Sequence, residues 1–364
     1  MIYDVAVVGG GPAGLTYAAH AARQGLRVVV LERRRLPADK PCGEGLMPAG
    51  LRVLEAMGAR ARIDPRHCAP FRAIRYVQED SGAIEGTLPA PGGLGIRRTA
   101  LSAALLECAV KGGAVVRDGE ALRYHRREQD GVTLGTDRDR LRARLLVAAD
   151  GLHSLVRRAE GLDGVAAPVT RFGLRRHFAG VPRSDCVEVH FTTGAEAYVT
   201  PCGPGQIGIA FLWEPDAFGG RSSFDALLAR FPRLRERVHG ATPVSTAQGA
   251  GPLWRRVRAQ VRDRLVLLGD AAGYIDALTG EGLSLALKNA EVLAGMTAEA
   301  LRHDARAEAF DAYVAHARAT FGRYERLTRL MLAIARRPRL RRATIAALGR
   351  LPGAFDWLVG LALR

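Results

Sequence analysis

Three segments of this chain open with an uninterrupted apolar run. The runs cover residues 5–8, 145–149 and 265–268, and each leads into a turn that contains glycine. Apolar runs without polar alternation are typical of parallel strands that are buried on both faces. We therefore predict an α/β fold with a parallel sheet.

A different pattern covers residues 186–215, where apolar and polar side chains alternate between turns. Val187, Val189 and Phe191 fall on one face of the first predicted strand. This alternation predicts an antiparallel meander. Residues 223–238 are predicted to follow it as a helical excursion.

Length and composition narrow the class of protein. The chain has 364 residues, of which 48% are hydrophobic, so it can build a real core and is not expected to be disordered. No uncharged apolar run approaches the roughly 20 residues of a membrane-spanning helix, and we expect no secretory signal. The five cysteines show no paired spacing, which favours a cytoplasmic protein with reduced thiols and no metal site.

The net charge of +16 raises the question of a nucleic-acid partner. Only three of the 53 basic side chains are lysines, namely Lys40, Lys111 and Lys288, and such a bias toward arginine suggests genome composition. No nucleic-acid recognition motif accompanies the charge. We therefore expect a small-molecule substrate and no nucleic acid.

Residues 3–34 are predicted to form a strand, a turn, a helix and a second strand. Gly9, Gly11 and Gly14 fit G-x-G-x-x-G, in which glycines permit a tight turn, close approach to a pyrophosphate and close packing of the helix. The N-terminus of the helix favours phosphate. Glu32 ends the second strand 18 residues after Gly14, where an acid can bind ribose hydroxyls. The unit predicts a bound dinucleotide, either NAD or FAD, because both contain ADP.

A second glycine-rich turn lies more than two hundred residues later. Asp270 follows the third apolar run, and Gly280 and Gly282 precede a predicted amphipathic helix. Asp270 can accept hydrogen bonds from a polyol chain, and the helix N-terminus can stabilise negative charge on a reduced ring. These features fit the ribityl chain and ring of a flavin better than a nicotinamide riboside.

With the D-G-x-x-S-x-x-R motif at residues 150–157, these turns resemble the FAD-dependent aromatic hydroxylase fold. That superfamily includes flavoprotein monooxygenases, geranylgeranyl reductases and flavin-dependent halogenases. The resemblance implies non-covalent FAD with NAD(P)H as the reductant. It also implies a discontinuous Rossmann-like FAD-binding domain, an antiparallel β-sheet substrate domain and a helical C-terminal region. The predicted boundaries are 1–75, 96–163 and 255–300 for the FAD-binding domain, 76–95 and 164–254 for the substrate-binding sheet, and 301–364 for the helical region.

The resemblance implies roles for individual residues. The cofactor-binding candidates are Gly9, Gly11, Ala13, Gly14, Glu32, Arg33, Arg98, Asp150, Asp270, Gly280 and Gly282. The first glycines would hold the pyrophosphate and Glu32 the adenosine ribose, with Asp150 near the pyrophosphate and Asp270 on the ribityl chain. Taken in isolation, Asp150 is better explained as a strand-end cap, and Asp270 as a turn residue.

The leading predicted reaction is an NAD(P)H- and O2-dependent hydroxylation of an apolar aromatic, such as a phenol or a polyketide. The protein would exclude water and position the substrate. His177 and His190 are candidate bases, although both also fit ordinary sheet residues. The alternative is a flavin-dependent reductase that saturates alkenes of a prenyl or lipid substrate. Halogenation is disfavoured, because the W-x-W-x-I-P motif of halogenases is absent.

The stretch "DKPCGEGLMP", residues 39–48, bears on that choice. The hydroxylase pattern has an arginine and a glycine here, beside the flavin ring, whereas Cys42 is reminiscent of geranylgeranyl reductases. We expect residues 42–46 to lie against the flavin, with Pro48 in the first turn of the next helix. Cys42 and Glu44 are the catalytic candidates, because a carboxyl group beside a flavin is costly to ionise unless paired and can move a proton.

Residues 300–364 are predicted to be helical, and their composition changes near the end. From residue 321 onward there are ten arginines and only two acids, Glu325 and Asp356. One interpretation is a helical cap that packs on the FAD-binding domain and exposes a basic face. The other is a lid over an apolar tunnel, or a peripheral contact with an anionic membrane.

Overall fold

The computed structural model describes residues 2–80, 82–165, 170–220, 222–351 and 353–362. The strands are β1 (Ile2–Val8), β2 (Val28–Glu32), β3 (Gly45–Leu46), β4 (Cys68–Phe71), β5 (Ala73–Gln78), β6 (Ala83–Thr87), β7 (Gly93–Ile96), β8 (Val115–Asp118), β9 (Leu122–Glu128), β10 (Gly131–Thr136), β11 (Arg140–Ala148), β12 (Phe172–Ala179), β13 (Cys186–Thr192), β14 (Ala195–Gly203), β15 (Gln206–Trp213), β16 (Thr242–Pro243), β17 (Gln248–Ala250), β18 (Val261–Arg262) and β19 (Leu265–Leu267). The helices are α1 (Pro12–Arg23), α2 (Pro48–Ala56), α3 (Arg98–Lys111), α4 (Leu155–Ala159), α5 (Phe224–Leu228), α6 (Pro232–Arg237), α7 (Gly282–Arg302), α8 (Asp311–Ala335), α9 (Pro338–Gly349) and α10 (Ala354–Ala362).

The first sheet has the strand order β18-β19-β11-β1-β2-β8, and the three apolar runs form its centre. Strand β1 pairs in parallel with both β2 and β11, and β11 pairs in parallel with β19. Helices α1, α3 and α7 cover one face, and the β9–β10 ribbon covers much of the other. Both faces are therefore dry, which explains why the runs carry no polar alternation. The predicted parallel sheet is confirmed.

The second sheet has the order β16-β12-β15-β14-β13-β5-β6 and contains the predicted meander β13-β14-β15. Its pairs are antiparallel except for β5 with β13. Helices α5 and α6 form the predicted helical excursion and pack on one face through Phe224, Phe231 and Leu234. The other face turns toward the first sheet and the C-terminal helices.

A small third sheet, β3-β7-β4, connects the two large ones. Gly95 of β7 lies against β14 so closely that a Cβ there would meet the Pro201 carbonyl oxygen at 1.6 Å. Only glycine permits this approach. The strand that carries Gly45 is thereby fixed between the two domains.

The end of the chain is helical, as predicted. Helices α9 and α10 pack on the edge strand β6, where Phe355 and Val359 of α10 contact Gly86. Within the described residues, no helix combines the length and apolar character that crossing a bilayer requires.

The chain enters the second sheet near the predicted boundary at residue 75, because β5 begins at Ala73 and belongs entirely to that sheet. It passes from β4 to β5 through the single residue Arg72, so no linker marks the change. Composition gives no signal at such a junction. The domain boundaries stay predictions.

Candidate functional site

The turn between β1 and α1 leaves backbone N–H groups unobstructed. Gly9 has φ +110°, and a Cβ there would meet the Ala149 carbonyl oxygen at 2.2 Å, so the tight turn requires glycine. The helix begins at Pro12 without a side-chain cap, so its first N–H groups are available to an anion. A Cβ at Gly11 would meet only the Lys40 ammonium, at 3.9 Å. A pyrophosphate fits this position with a cation above it.

Glu32 is buried beside that turn. Its Oε2 accepts the Gly10 N–H at 2.8 Å, its Oε1 accepts the Arg34 N–H at 3.0 Å, and the Lys40 Nζ lies 3.7 Å away. A carboxylate has lone pairs left for a ribose hydroxyl. Arg33 is exposed next to it. Glu32 therefore shapes the turn as well as offering an acceptor.

The structure brings the D-G motif to the same turn. The Cα of Asp150 would lie 2.9 Å from a Cβ on Gly9, because β11 runs parallel to β1 and ends at the same edge. Asp150 Oδ2 accepts the N–H groups of Leu155 and Val156, whereas its Oδ1 is buried without a partner. A buried unpaired oxygen is rare in a native fold and fits a ligand donor here.

The buried guanidinium of Arg157 connects the D-G motif to the Gly269 turn. It donates to Asp163 Oδ1 at 2.7 Å, to the Leu152 carbonyl oxygen at 2.9 Å and to the Ala271 carbonyl oxygen at 3.2 Å. The arginine of the motif thus contacts backbone and one acid. Its hydrogen bonds hold the Asp150 turn and the Gly269 turn together.

Asp270 opens on the cleft between these turns. Its side chain is exposed, yet the surrounding protein raises the pKa of its carboxyl group, while Arg98 and Lys40 act in the opposite direction. We call the space that Asp270 and these turns border the cleft. Ala13 lies against the turn, because a Cβ on Gly269 would come 2.9 Å from its methyl group.

The turn before α7 forms the far end of the cleft. Gly280 has φ +68°, and a Cβ there would meet the Met47 Cε at 3.1 Å; a Cβ at Gly282 would meet the ring of Tyr274 at 3.7 Å. Helix α7 begins without a side-chain cap. Glu281 lies between the two glycines, and burial raises its pKa to about 7, with Arg323 opposing the shift.

Residues 42–46 lie at this end of the cleft. Cys42 is half-buried and lies near Tyr274, whose hydroxyl pKa is raised by burial. Glu44, by contrast, has φ +61° and turns its side chain away into the protein, where it is 2% exposed. No protein atom would lie within 4 Å of a Cβ on Gly43, and Gly45 makes only ordinary contacts. Pro48 is the first residue of α2, as predicted.

The pairing of Glu44 was not predicted. Its Oε2 bonds to His177 Nε2 at 2.6 Å, and its Oε1 accepts the Arg98 N–H at 2.8 Å. Arg175 bonds to His177 Nδ1 at 2.8 Å and to Asp39 Oδ1 at 2.5 Å. A buried charge cluster therefore joins the 39–46 loop to β12. The other candidate base, His190, lies on the opposite face of the second sheet, between Glu79 and Glu188.

A second buried cluster holds the loop on the other side of the cleft. Arg171 donates to Asp276 Oδ2 at 3.1 Å and to Glu196 Oε2. Burial raises the pKa of both carboxyl groups, and Arg171 opposes that shift. Tyr324 of α8 also donates to the Asp276 carbonyl oxygen. The residues that carry this anchor lie far apart in sequence, so no local motif could have revealed it.

Residues 2–328 match the family model described as the FAD binding domain. The chain belongs to this FAD-binding family. The predicted cofactor class and enzyme class are thereby confirmed at the level of an FAD-dependent oxidoreductase.

Curated relatives of this FAD-family chain include both reductases and a monooxygenase. Digeranylgeranylglycerophospholipid reductase 2 of Methanopyrus kandleri is 29% identical, covering 85% of this chain and 80% of its own length. Menaquinone reductase of Mycobacterium tuberculosis is 27% identical over 80% of this chain and 75% of the relative. The 6-methylpretetramide 4-monooxygenase of Streptomyces rimosus is 28% identical over 92% of this chain and 85% of the relative.

Solved structures share the fold at lower identity. The flavin-dependent brominase Bmp2 superposes with a TM-score of 0.88 at 17% identity, covering 100% of this chain and 93% of that chain. The halogenase PltM superposes with a TM-score of 0.82 at 20% identity, covering 93% of this chain and 78% of that chain. At such identities the likeness establishes the fold alone.

Proposed function

We propose that this FAD-family enzyme is a reductase that saturates a carbon–carbon double bond in a prenyl-type or other long apolar substrate. The observation that carries the proposal is the apolar wall that continues from the flavin end of the cleft across the second sheet. The names of the relatives from M. kandleri and M. tuberculosis support this substrate class.

The wall consists of side chains that are only partly buried, and it begins at the cleft with Tyr274, whose ring would lie 3.7 Å from a Cβ on Gly282. Tyr76, Ala210, Tyr274 and Met331 belong to it, and they pack around the buried Val189. Burial raises the pKa of the Tyr76 and Tyr274 hydroxyl groups, so both stay neutral. A wall of this kind accepts an uncharged hydrocarbon chain and excludes water.

Bound FAD, once reduced by NAD(P)H, would supply the hydride that such a reduction needs. The Gly9 turn, Lys40 and Asp150 would hold its pyrophosphate, and Asp270 would accept from its ribityl chain. The second alkene carbon must receive a proton from the protein or from water. The products are then a saturated bond and the oxidised nicotinamide.

Glu281 is the best-placed acid for this proton. It lies between Gly280 and Gly282 at the flavin end of the cleft, and with a pKa of about 7 it is partly protonated at neutral pH. Cys42 lies near the same loop and is the other candidate. In this proposal Glu44 is a positioning residue, because its carboxylate is occupied by His177 and Arg98.

The deciding experiment is anaerobic turnover with NAD(P)H and two substrates, a geranylgeranyl ether lipid and a menaquinone, followed by mass spectrometry. We expect a product that gains two hydrogen atoms without oxygen. Glu281→Gln should lower kcat about 10- to 100-fold and remove the pH dependence near 7, whereas Glu299→Gln, exposed near the end of the same helix, should not. Absence of anaerobic turnover would exclude the reductase.

The monooxygenase predicted from sequence remains the second candidate. The match to 6-methylpretetramide 4-monooxygenase over 92% of this chain favours it specifically. In that case a phenolic substrate would gain one oxygen atom in air and nothing without air. The same assay therefore separates the two reactions.

A further inference from the structure

Large exposed hydrophobic side chains concentrate at the end of the chain. Trp357 is 65% exposed and Leu351 58% exposed, and Leu340, Leu358 and Leu361 are also exposed. Single exposed apolar residues need no explanation, but a cluster that includes tryptophan marks an interaction site. We call these five residues, together with Arg339 and Arg350, the C-terminal surface.

The C-terminal surface lies on one side of the molecule. Helix α10 buries Phe355 and Val359 against β6, so Trp357, Leu358 and Leu361 fall on its outward face. Helix α9 buries Arg341, Ile345 and Leu348 toward the same sheet. Arg339 and Leu340 lie on its exposed side, and Arg350 follows its last residue and is also exposed. Both outward faces therefore point away from the same sheet.

The charge on this surface is not neutralised. Among the described residues, Arg339 and Arg350 pair with no carboxylate, although Arg342 pairs with Asp80. Asp356 is the only acid after Glu325, and its carboxylate accepts the Thr87 N–H at 2.6 Å. Two amphipathic helices with exposed tryptophan, leucine and unpaired arginine fit an anionic interface.

We propose that the C-terminal surface docks on an anionic lipid bilayer and lies in its interface. A second copy of this chain fits less well, because both copies would bring Arg339 and Arg350 to the contact, and the only acid after Glu325 is Asp356, which already accepts the Thr87 N–H. Acidic lipid headgroups supply the missing negative charge, and the acyl region accepts Trp357 and Leu361.

This inference rests on the proposed function, since docking would deliver an apolar substrate. The core beneath the C-terminal surface contains Phe355, Val359 and Ile84 and extends to Met47. Met47 in turn contacts the Gly280 turn at the flavin end of the cleft. A continuous apolar core therefore connects α10 to the turn before α7.

The test is cosedimentation of the full-length, FAD-loaded protein with phosphatidylcholine vesicles, with and without phosphatidylglycerol. We expect binding only with phosphatidylglycerol, weakened by salt. Arg339→Gln with Arg350→Gln should lower the partition coefficient about 30-fold, and Trp357→Ser with Leu361→Ser at least about 10-fold. Arg126→Gln and Val110→Ser, at exposed sites on the FAD-binding domain, are the matched controls and should bind like the parent.

Three results would overturn the proposal: no vesicle binding, equal binding to neutral vesicles, or equal binding by the variants and the parent. A parent dimer that becomes a monomer in Trp357→Ser, measured by light scattering, would instead identify a self-association surface and also overturn it. Anaerobic reduction of a detergent-dispersed substrate is measured in parallel. If reduction persists when vesicle binding is absent, only the docking proposal fails, and the proposed function stands.

Discussion

Two buried arginines close to β12 anchor opposite sides of the cleft in different ways. Arg171 lies between Glu196 and Asp276, and all three groups are almost completely buried. Arg175, four residues later on the same face, reaches Asp39, which is partly exposed. One loop is therefore held by fully desolvated charges, and the other by charges with alternative partners.

The difference lies in what remains when a partner is lost. Without Arg171, two buried carboxylates lose the one cation that pairs with them at salt-bridge distance among the described residues. Without Arg175, Asp39 can still bond to Gln248 and meet water, and Glu44 keeps His177 and the Arg98 N–H. A buried ion pair adds little net stability, but a buried charge that has lost its partner destabilises the protein strongly. The first anchor should thus be rigid and the second adjustable.

The largest effect is expected for Arg171→Met. Leaving Glu196 and Asp276 unpaired should lower the free energy of unfolding by about 3–5 kcal/mol, measured by chemical denaturation at pH 7. Arg176→Met, on the same strand but facing the other way, is the control and should cost less than about 1 kcal/mol. If Arg171→Met lowers the free energy of unfolding by less than about 1 kcal/mol, the Arg171 cluster does not stabilise the fold as described.

Arg175→Met should cost less, about 2 kcal/mol, because its partners keep other hydrogen bonds. The same denaturation series measures it. If Arg175→Met lowers the free energy of unfolding as much as Arg171→Met does, the distinction between the two anchors is wrong.

Glu281 is a buried acid without the ion pair that Asp276 has. It lies a few residues beyond Asp276 but has no cation within salt-bridge distance among the described residues. Its folded pKa of about 7 lies above its ordinary 4.5, so the folded state binds the extra proton and stability falls as pH rises from 4.5 to 7. Glu281→Gln should therefore stabilise the protein by about 1–2 kcal/mol at pH 8 and by less at pH 5. Thermal unfolding at the two pH values checks this, and equal shifts at both would contradict the assigned pKa.

The smallest stability change is expected at the adjustable anchor. Glu44→Gln keeps an acceptor for the Arg98 N–H and should cost about 1 kcal/mol, and Cys42→Ser should cost no more than that. Both should retain FAD but change its absorption spectrum or turnover, because they alter the loop beside it. Variants that match the parent in spectrum and turnover would show that residues 42–46 do not act on the flavin.

The parallel strands and their turns could be predicted because each depends on neighbouring residues. The spacing from Gly9 to Gly14 and the offset to Glu32 are local signals, and the fold they imply was confirmed. Lys40 was missed, although it is one of three lysines among 53 basic residues, and that rarity was the available signal.

The anchors could not be predicted from sequence. Arg171 meets Glu196 across 25 residues and Asp276 across 105, and such pairs are fixed only when the two sheets come together. His177 shows the same limit, since its sequence context fits a base or a sheet residue equally well. Its contact with Glu44 spans 133 residues.

Helices α1 and α7 pack directly on each other, and the hydroxyl groups of Tyr17 and Thr297 meet at 2.9 Å across 280 residues. During synthesis the glycine turn leaves the ribosome early, but the helix that completes its cradle is among the later parts made. The nascent chain must therefore keep its first strands from aggregating until that helix arrives, because contacts of such long range form late. FAD can therefore bind only after α7 has been translated.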